Sequence, residues 1–477
     1  MTPSSAPQTS DRPIDPDGPT GRLVTWLAEL HLDQIPDEVI ERAKDVILDG
    51  LGCALTGAKL PWSITAVEAV LAMEGQGDAT VIGWDETTSA PAAALLNGTF
   101  IQGFELDDFH PTAPLHSASL LIPALLAASE SAGVSSGRAF LLAAIAGFEV
   151  GPRVGLALHG TQMLSRGWHS GAVFGTHAAA AGVGVMLGLS PAVIEDALGL
   201  AGTQSAGLMA AQYEAMCKRM HHGFAARNGF YSAMLAKGGY TGIKRVFERE
   251  YGGFLSVFGE GHEPDASQID SDLGERWETL RIALKPYAAM GALHSSLDVI
   301  LELGREEKID PTSVRSIDVY LSHVAYHHGW WEPERPLTPI GAQMNVAYAV
   351  AVALIDGAAM ADQFAPSRID ADDVWALVPR IKAHHDPAFD AQKETRGSVR
   401  LIVTLNDGTV REGGRAVPDT IGKPLDRAAV SAKFDVLTRE VIDGGRAGAI
   451  REVVLDLENR DLSELLPLLR GASTPLF

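Results

Sequence analysis

The chain has 477 residues, 46% of them hydrophobic, 21% charged and only 6% aromatic; this allows two domains or one domain with an insertion, and an Ala- and Gly-rich composition favours closely packed helices. The 38 basic and 60 acidic residues leave a formal charge of −22, which repels phosphate backbones and anionic lipid and argues against nucleic-acid or membrane partners. Two cysteines, Cys53 and Cys217, are too few for a disulfide framework, a Cys-rich zinc site or an iron–sulfur cluster, and they fit a reducing compartment.

Residues 1–19, rich in Ser, Pro, Asp and Thr, predict a disordered tail with no signal-peptide pattern, and the expected location is the cytoplasm. Pro36-Asp-Glu then opens a helix whose apolar Val39, Ile40, Ala43, Val46, Ile47, Leu51 and Ala54 keep a 3–4 spacing. Further helical patterns cover 90–102, 119–132, 137–157, 169–187, 191–201 and 227–237. Residues 172–189 come nearest to a membrane span, but they contain His177 and lack charged flanks, so a buried helix is expected.

The texture changes after about residue 282. Val314, Ile317, Val319 and Leu321 predict a strand with one irregularity. Residues 398–405 alternate and run into Asn406-Asp407-Gly408 and Val410, a hairpin signal. Between them, residues 345–356 predict an Ala-rich helix ending at Gly357. Helical patterns return over 424–441 and 462–469. The fold class expected is mainly α, with a helical domain of residues 20–282 plus 416–477 interrupted by a smaller α+β lid of 283–415.

Four clusters concentrate ionisable residues beside apolar helices. The first runs from Gly103 through Glu105, Asp107, Asp108 and His110 to His116; its carboxylates either fix the tautomers of its histidines or simply cap a helix connection. Arg166-Gly-Trp-His169 precedes an Ala-rich helix, whose N-terminus attracts anions, though His169 also suits a plain cap. Lys218, Arg219, His221 and His222 form either a carboxylate clamp or a solvated basic turn. Lys285-Pro-Tyr287, followed by His294, sits at the domain boundary, where pockets are common, or is an exposed lysine before a turn.

Other patterns carry less. Gly182-Val-Gly184 lies inside a helix pattern with no strand before it, so it is not a dinucleotide fingerprint. Gly171-x-x-x-Gly175 suggests close helix packing. His323 and His327 have metal-ligand spacing, but they follow a strand and run into Gly329, which makes a helix there doubtful and a metal site unexpected.

In order, these clusters resemble the MmgE/PrpD family. Asp45-x-x-Leu48-Asp49-Gly, Asn97-Gly-Thr-x-x-x-Gly-Phe-Glu-Leu-Asp-Asp, Gly167-Trp-His169, Lys218 through His221 to Ala225-Ala226-Arg227-Asn228-Gly229, and Lys285-Pro-Tyr287 with His294 all fall in register. The resemblance implies the helical domain and lid already described, a homodimer, no metal and no cofactor. It implies a small di- or tricarboxylate substrate held by Lys218, His221, Lys285, Tyr287 and His294. His116 and His169 are its acid/base pair, with Asp107 and Asp108 orienting them, and any of the binders, Lys218 included, could handle protons instead. The chemistry implied is proton transfer at a carbon next to a carboxylate. A hydro-lyase of the 2-methylcitrate dehydratase kind is expected first, then an epimerase of the iminodisuccinate kind, a decarboxylase of the cis-aconitate kind and a non-catalytic binder. Glu105, Phe109, Ser117, Cys217, Arg219, Met220 and Ala288 depart from the residues usual at those places.

Overall fold

The computed structural model describes residues 11–306, 308–391 and 397–475. Pro36 and two acidic residues open α1 (Asp37–Gly57), whose second half is wholly buried. Around it lie α2 (Ala90–Ile101), α3 (Ala118–Ala132), α4 (Gly137–Ala157), α5 (Ser170–Met186) and α6 (Cys217–Lys237). Missing side chains let these helices touch. A Cβ on Gly223 of α6 would come 2.1 Å from the Leu95 carbonyl oxygen of α2, and one on Gly175 would meet Leu120 of α3 at 2.4 Å. The second contact is the close packing expected of Gly171-x-x-x-Gly175.

Helix α6 begins ten residues before the predicted 227, so the cationic run Lys218–His222 is helix and not a turn. By length and composition α4 could cross a membrane, but 83% of its apolar window is buried inside the protein. Segment 172–189 is mostly the buried helix α5. The tail expectation needs correction: residues 1–10 lie outside the described residues, but the next ones are anchored. Asp11 accepts from the Ala192 N–H at 3.3 Å, the Ile14 N–H donates to Glu195 at 3.1 Å, and Asp15 pairs with Arg245 at 3.2 Å.

Strand β1 (Asp108–Phe109) pairs antiparallel with β2 (Ala283–Leu284), stitching the first acidic loop to the Lys285 segment. Beyond it come α7 (His294–Glu306), β3 (Val314–Leu321), α8 (Val346–Asp356), β4 (Ile381–His385), β5 (Val399–Leu405) and β6 (Val410–Arg415). The sheet order is β4-β3-β5-β6, parallel only between β3 and β4. The irregularity predicted in β3 is a register shift between Val314 and Ser316. Strand β4 was not expected, because Ile-Lys-Ala-His-His reads as polar; it buries Ile381 and Ala383 on alternate positions.

The chain then returns to α1. In α9 (Arg427–Thr438), Phe434 and Leu437 are buried, and the Leu437 carbonyl accepts from Thr56 Oγ1 at 2.8 Å. Helix α10 (Gly444–Leu455) was missed in sequence because of its three glycines; an Asp443 cap and buried Ile450 and Val454 support it.

Candidate active site

The site starts where α2 ends. A short turn, Gln102–Phe104, leads to Glu105, whose left-handed φ of 56° turns the chain inward. Two long side chains hold this turn: Gln343 Nε2 donates to the Phe104 carbonyl at 2.9 Å and Lys433 Nζ to the Leu106 carbonyl at 2.6 Å. Asp108 then accepts the backbone N–H groups of Ser117 and Ala118 at 2.6 and 2.9 Å, capping the start of α3. Burial and the neighbouring Asp107 push its carboxyl up to about 7. Asp108 therefore shapes the loop and hydrogen-bonds to no histidine, unlike the orienting role the resemblance gave it.

Glu105 gathers the cations. Its buried carboxylate accepts from Lys218, from Arg219 at 3.1 Å and from Lys285 at 2.8 Å, and Lys285 also lies 3.7 Å from Asp107. Burial disfavours the Glu105 charge, but Lys218, Lys285 and Arg219 outweigh it and hold its pKa well below the carboxylate range. Lys218 is lowered by burial, with Glu105 opposing. Three cations against the carboxylates of Glu105 and Asp107 leave one positive charge in surplus inside a strongly acidic protein.

Four histidines stand beside this cluster. His116 Nδ1 meets Asp107 Oδ2 at 3.1 Å, which leaves Nε2 to present to a substrate. The ring of His222 lies 5.0 Å from that of His116 and 5.1 Å from that of His169, and the rings of His169 and His221 are 4.5 Å apart. Ser119 Oγ and His222 Nδ1 are 2.6 Å apart, and a Cβ on Gly171 would come 2.0 Å from His222 Nε2, so the glycine that opens α5 makes room for the ring. Burial, reinforced by His221 and Lys218 for His169 and by His116 and His169 for His222, holds both well below the usual imidazole value; burial and then Lys218 bring His221 to about 4. All three are neutral at pH 7.

A cavity of about 510 Å³ is lined by Glu105, His116, His169, Lys218 and Lys285 together. Asp107 stands behind His116. His221 faces a separate cavity behind His169, with Cys217 and Phe224. Tyr287 does not line the first cavity: its hydroxyl donates to Asp298 at 2.8 Å and it lines a different pocket, with Arg415 and Asp419. His294 is buried with Nε2 3.1 Å from the Ala289 carbonyl, packed edge-on against Phe109 and Tyr287. Neither Tyr287 nor His294 lines the first cavity, so the structure does not bring these two expected binders to it.

Glu105 and His110 belong to the first acidic cluster and Arg219 to the cationic run, but the resemblance gives none of the three a site role, and His328 enters only beside the histidine pair set aside as a metal site. His110 accepts the Ala113 N–H on Nδ1 and bonds Glu278 through Nε2, both at 3.0 Å. His328 lines the cavity from a helix, His323–Gly329, where a helix had been doubtful. The rings of His323 and His327 stack 5.7 Å apart on it. Among the described residues, no three His, Cys, Asp or Glu side chains are grouped to hold a metal ion.

A mainly helical protein with a small sheet and a buried site of lysines, histidines and paired carboxylates defines a class, and comparison places the chain in it. The MmgE/PrpD N-terminal domain matches residues 21–267 and the MmgE/PrpD C-terminal domain residues 287–459. This chain belongs to the MmgE/PrpD family and is a lyase-type enzyme. It is 45% identical over 469 residues to the cis-aconitate decarboxylase-like protein oryM of Aspergillus oryzae, covering 95% of this chain and 97% of that one. It is 40% identical over 475 residues to the cis-aconitate decarboxylase of Aspergillus terreus, covering 96% of each. Against the human cis-aconitate decarboxylase it is 26% identical over 474 residues, 96% of this chain and 95% of that protein.

Proposed function

We propose that this chain decarboxylates cis-aconitate or a close relative of it. The observation that carries the reading is the convergence of Lys218 and Lys285 with the His116–Asp107 pair on one cavity; the named relatives supply the reaction and move decarboxylation ahead of the dehydration expected from sequence. In such a reaction a C–C bond to one carboxylate breaks and carbon dioxide leaves. The electron pair passes through the adjacent double bond onto a conjugated carboxylate, and a proton is then delivered to carbon. The cation surplus around Glu105 holds the substrate carboxylates and stabilises the charge that develops. His116 is the proton donor, because Asp107 holds its Nδ1 and leaves Nε2 for the cavity. Neutral His169 suits hydrogen bonding to the substrate.

The test is incubation with cis-aconitate in deuterated water. Release of carbon dioxide with one deuterium in the product supports the reading; water addition or loss without carbon dioxide points to a hydro-lyase, and no release of carbon dioxide from cis-aconitate or from an alkyl-substituted analogue of it overturns decarboxylation. His116→Asn is expected to lower kcat by about 10²–10⁴ with a smaller change in KM, whereas Lys218→Ala acts mainly on KM.

The homodimer implied by the resemblance is proposed as well. Met216 before α6 and Tyr231 and Leu235 on it are exposed apolar side chains that a second copy would cover. Sedimentation of a monomer at micromolar concentration would overturn it.

A further inference from the structure

Glu105, His116, His169, Lys218 and Lys285 line one part of the cavity. Phe109, Pro111, Leu280, Ile282, Val417 and Ile421 also line it, with Thr112, Arg281 and Thr420 among them. These come from three segments that hydrogen bonds join into one surface. Phe109 pairs with Ala283 in the β1–β2 ladder, and the Thr420 hydroxyl donates to the Leu284 carbonyl at 2.7 Å. Arg42 donates to both the Ile282 and the Leu425 carbonyls. The Ile282 and Leu284 carbonyls are thus turned into partners, and the six apolar side chains named present hydrocarbon.

Cis-aconitate has carboxylates on every side and nothing to place against such a surface. Pockets of ~300–1,000 Å³ hold drug-sized ligands, and this one, at about 510 Å³, exceeds what so small an acid fills. The surplus is not a gap between parted halves. Lys218 from α6 and Lys285 beyond β2 already meet on Glu105, so the polar end is drawn together while the apolar end stays open.

We propose that the substrate is a polycarboxylate carrying an apolar substituent of several carbons, with its acid head at Lys218, Lys285 and His116 and its tail along Phe109, Ile282 and Ile421. This rests on reading the polar end as a carboxylate site and adds the class of acid that fills the rest. Selectivity follows from chemistry: each methylene moved from water onto these side chains tightens binding, while Arg281, the cation on this stretch, is already engaged by Glu278 at 3.1 Å and by Thr112 at 3.0 Å.

The experiment is calorimetric titration of the full chain with succinate, butylsuccinate and octylsuccinate, which need no turnover. Affinity should rise about three- to four-fold per added methylene until the wall is covered. The half-buried Ile421→Asp variant, with folding checked by its melting temperature, should lose that gain. Equal affinity for all three acids overturns the proposal, as does a chain-length gain that survives in Ile421→Asp. Turnover of cis-aconitate without any chain-length gain would overturn this proposal alone. A chain-length gain without decarboxylation of any acid would remove the reaction and leave the pocket assignment standing.

Discussion

Lys218, Arg219 and Lys285 share one carboxylate, so the consequences of changing it are one-sided. Glu105→Gln would leave buried Lys218 and Arg219 without their carboxylate and Lys285 with only Asp107 at 3.7 Å, and breaking a buried pair in this way costs about 3–5 kcal/mol. Urea unfolding should show a loss of that size; an unchanged midpoint would mean that the cations find other partners. A different buried group sets a pH response. His177 is packed between Phe247 and Phe254, and burial brings its pKa down to about 3. Its folded value lies below the unfolded one, so it stays neutral in the native state while the unfolded chain takes up a proton below about pH 6.5. The stability it contributes is complete above that pH and is lost as pH falls from 6.5 to 3. His177→Leu should flatten the dependence of unfolding free energy on pH in that window, by up to about 1.4 kcal/mol per pH unit. Identical slopes in the two proteins would exclude this origin.

Among elements, α9 connects the end of the chain to the site. Lys433 on α9 pairs with Asp49 of α1 at 2.6 Å and holds the Leu106 carbonyl, one residue before Asp107. Lys433→Met should therefore do two things: strand a buried Asp49 at a cost of about 3–5 kcal/mol, and loosen the loop that carries Asp107. Adding Asp49→Asn should recover much of the stability but little of kcat, because the carbonyl contact stays lost. Recovery of both together would reduce Lys433 to a packing role. Much at this scale could be read in advance. Regular 3–4 spacing places α1, and alternation before Asn-Asp-Gly places the hairpin, since each pattern reflects one buried face. Strand β4 could not be read, because its place depends on β3 lying alongside it.

At the scale of the molecule, the first and last helices form one core. Phe434 packs where Gly52 leaves space on α1, and Arg427 pairs with Asp45 and Glu41. A chain ending at residue 416 would expose the α1 face and lose Val417 and Ile421 from the cavity wall. Each buried Leu or Phe is worth about 1.5–3 kcal/mol, so the truncated chain should lack a cooperative thermal transition and bind a hydrophobic dye. A sharp transition near that of the full chain would show that the helical core stands without its last segment.

The amino-acid sequence by itself determined that the chain is mainly helical, that its surface is acidic, and that lysines and histidines recur beside apolar helices in the order of the MmgE/PrpD family; these follow from composition and from residues near one another along the chain. Only the tertiary structure decided that Glu105 would draw Lys218, Arg219 and Lys285 onto one carboxylate, that Asp108 would cap a helix, and that Tyr287 would turn away to Asp298. Those outcomes depend on which buried charges find partners from distant segments. A buried charge takes the partner that the packing brings within reach, and separation along the chain does not reveal which one that will be.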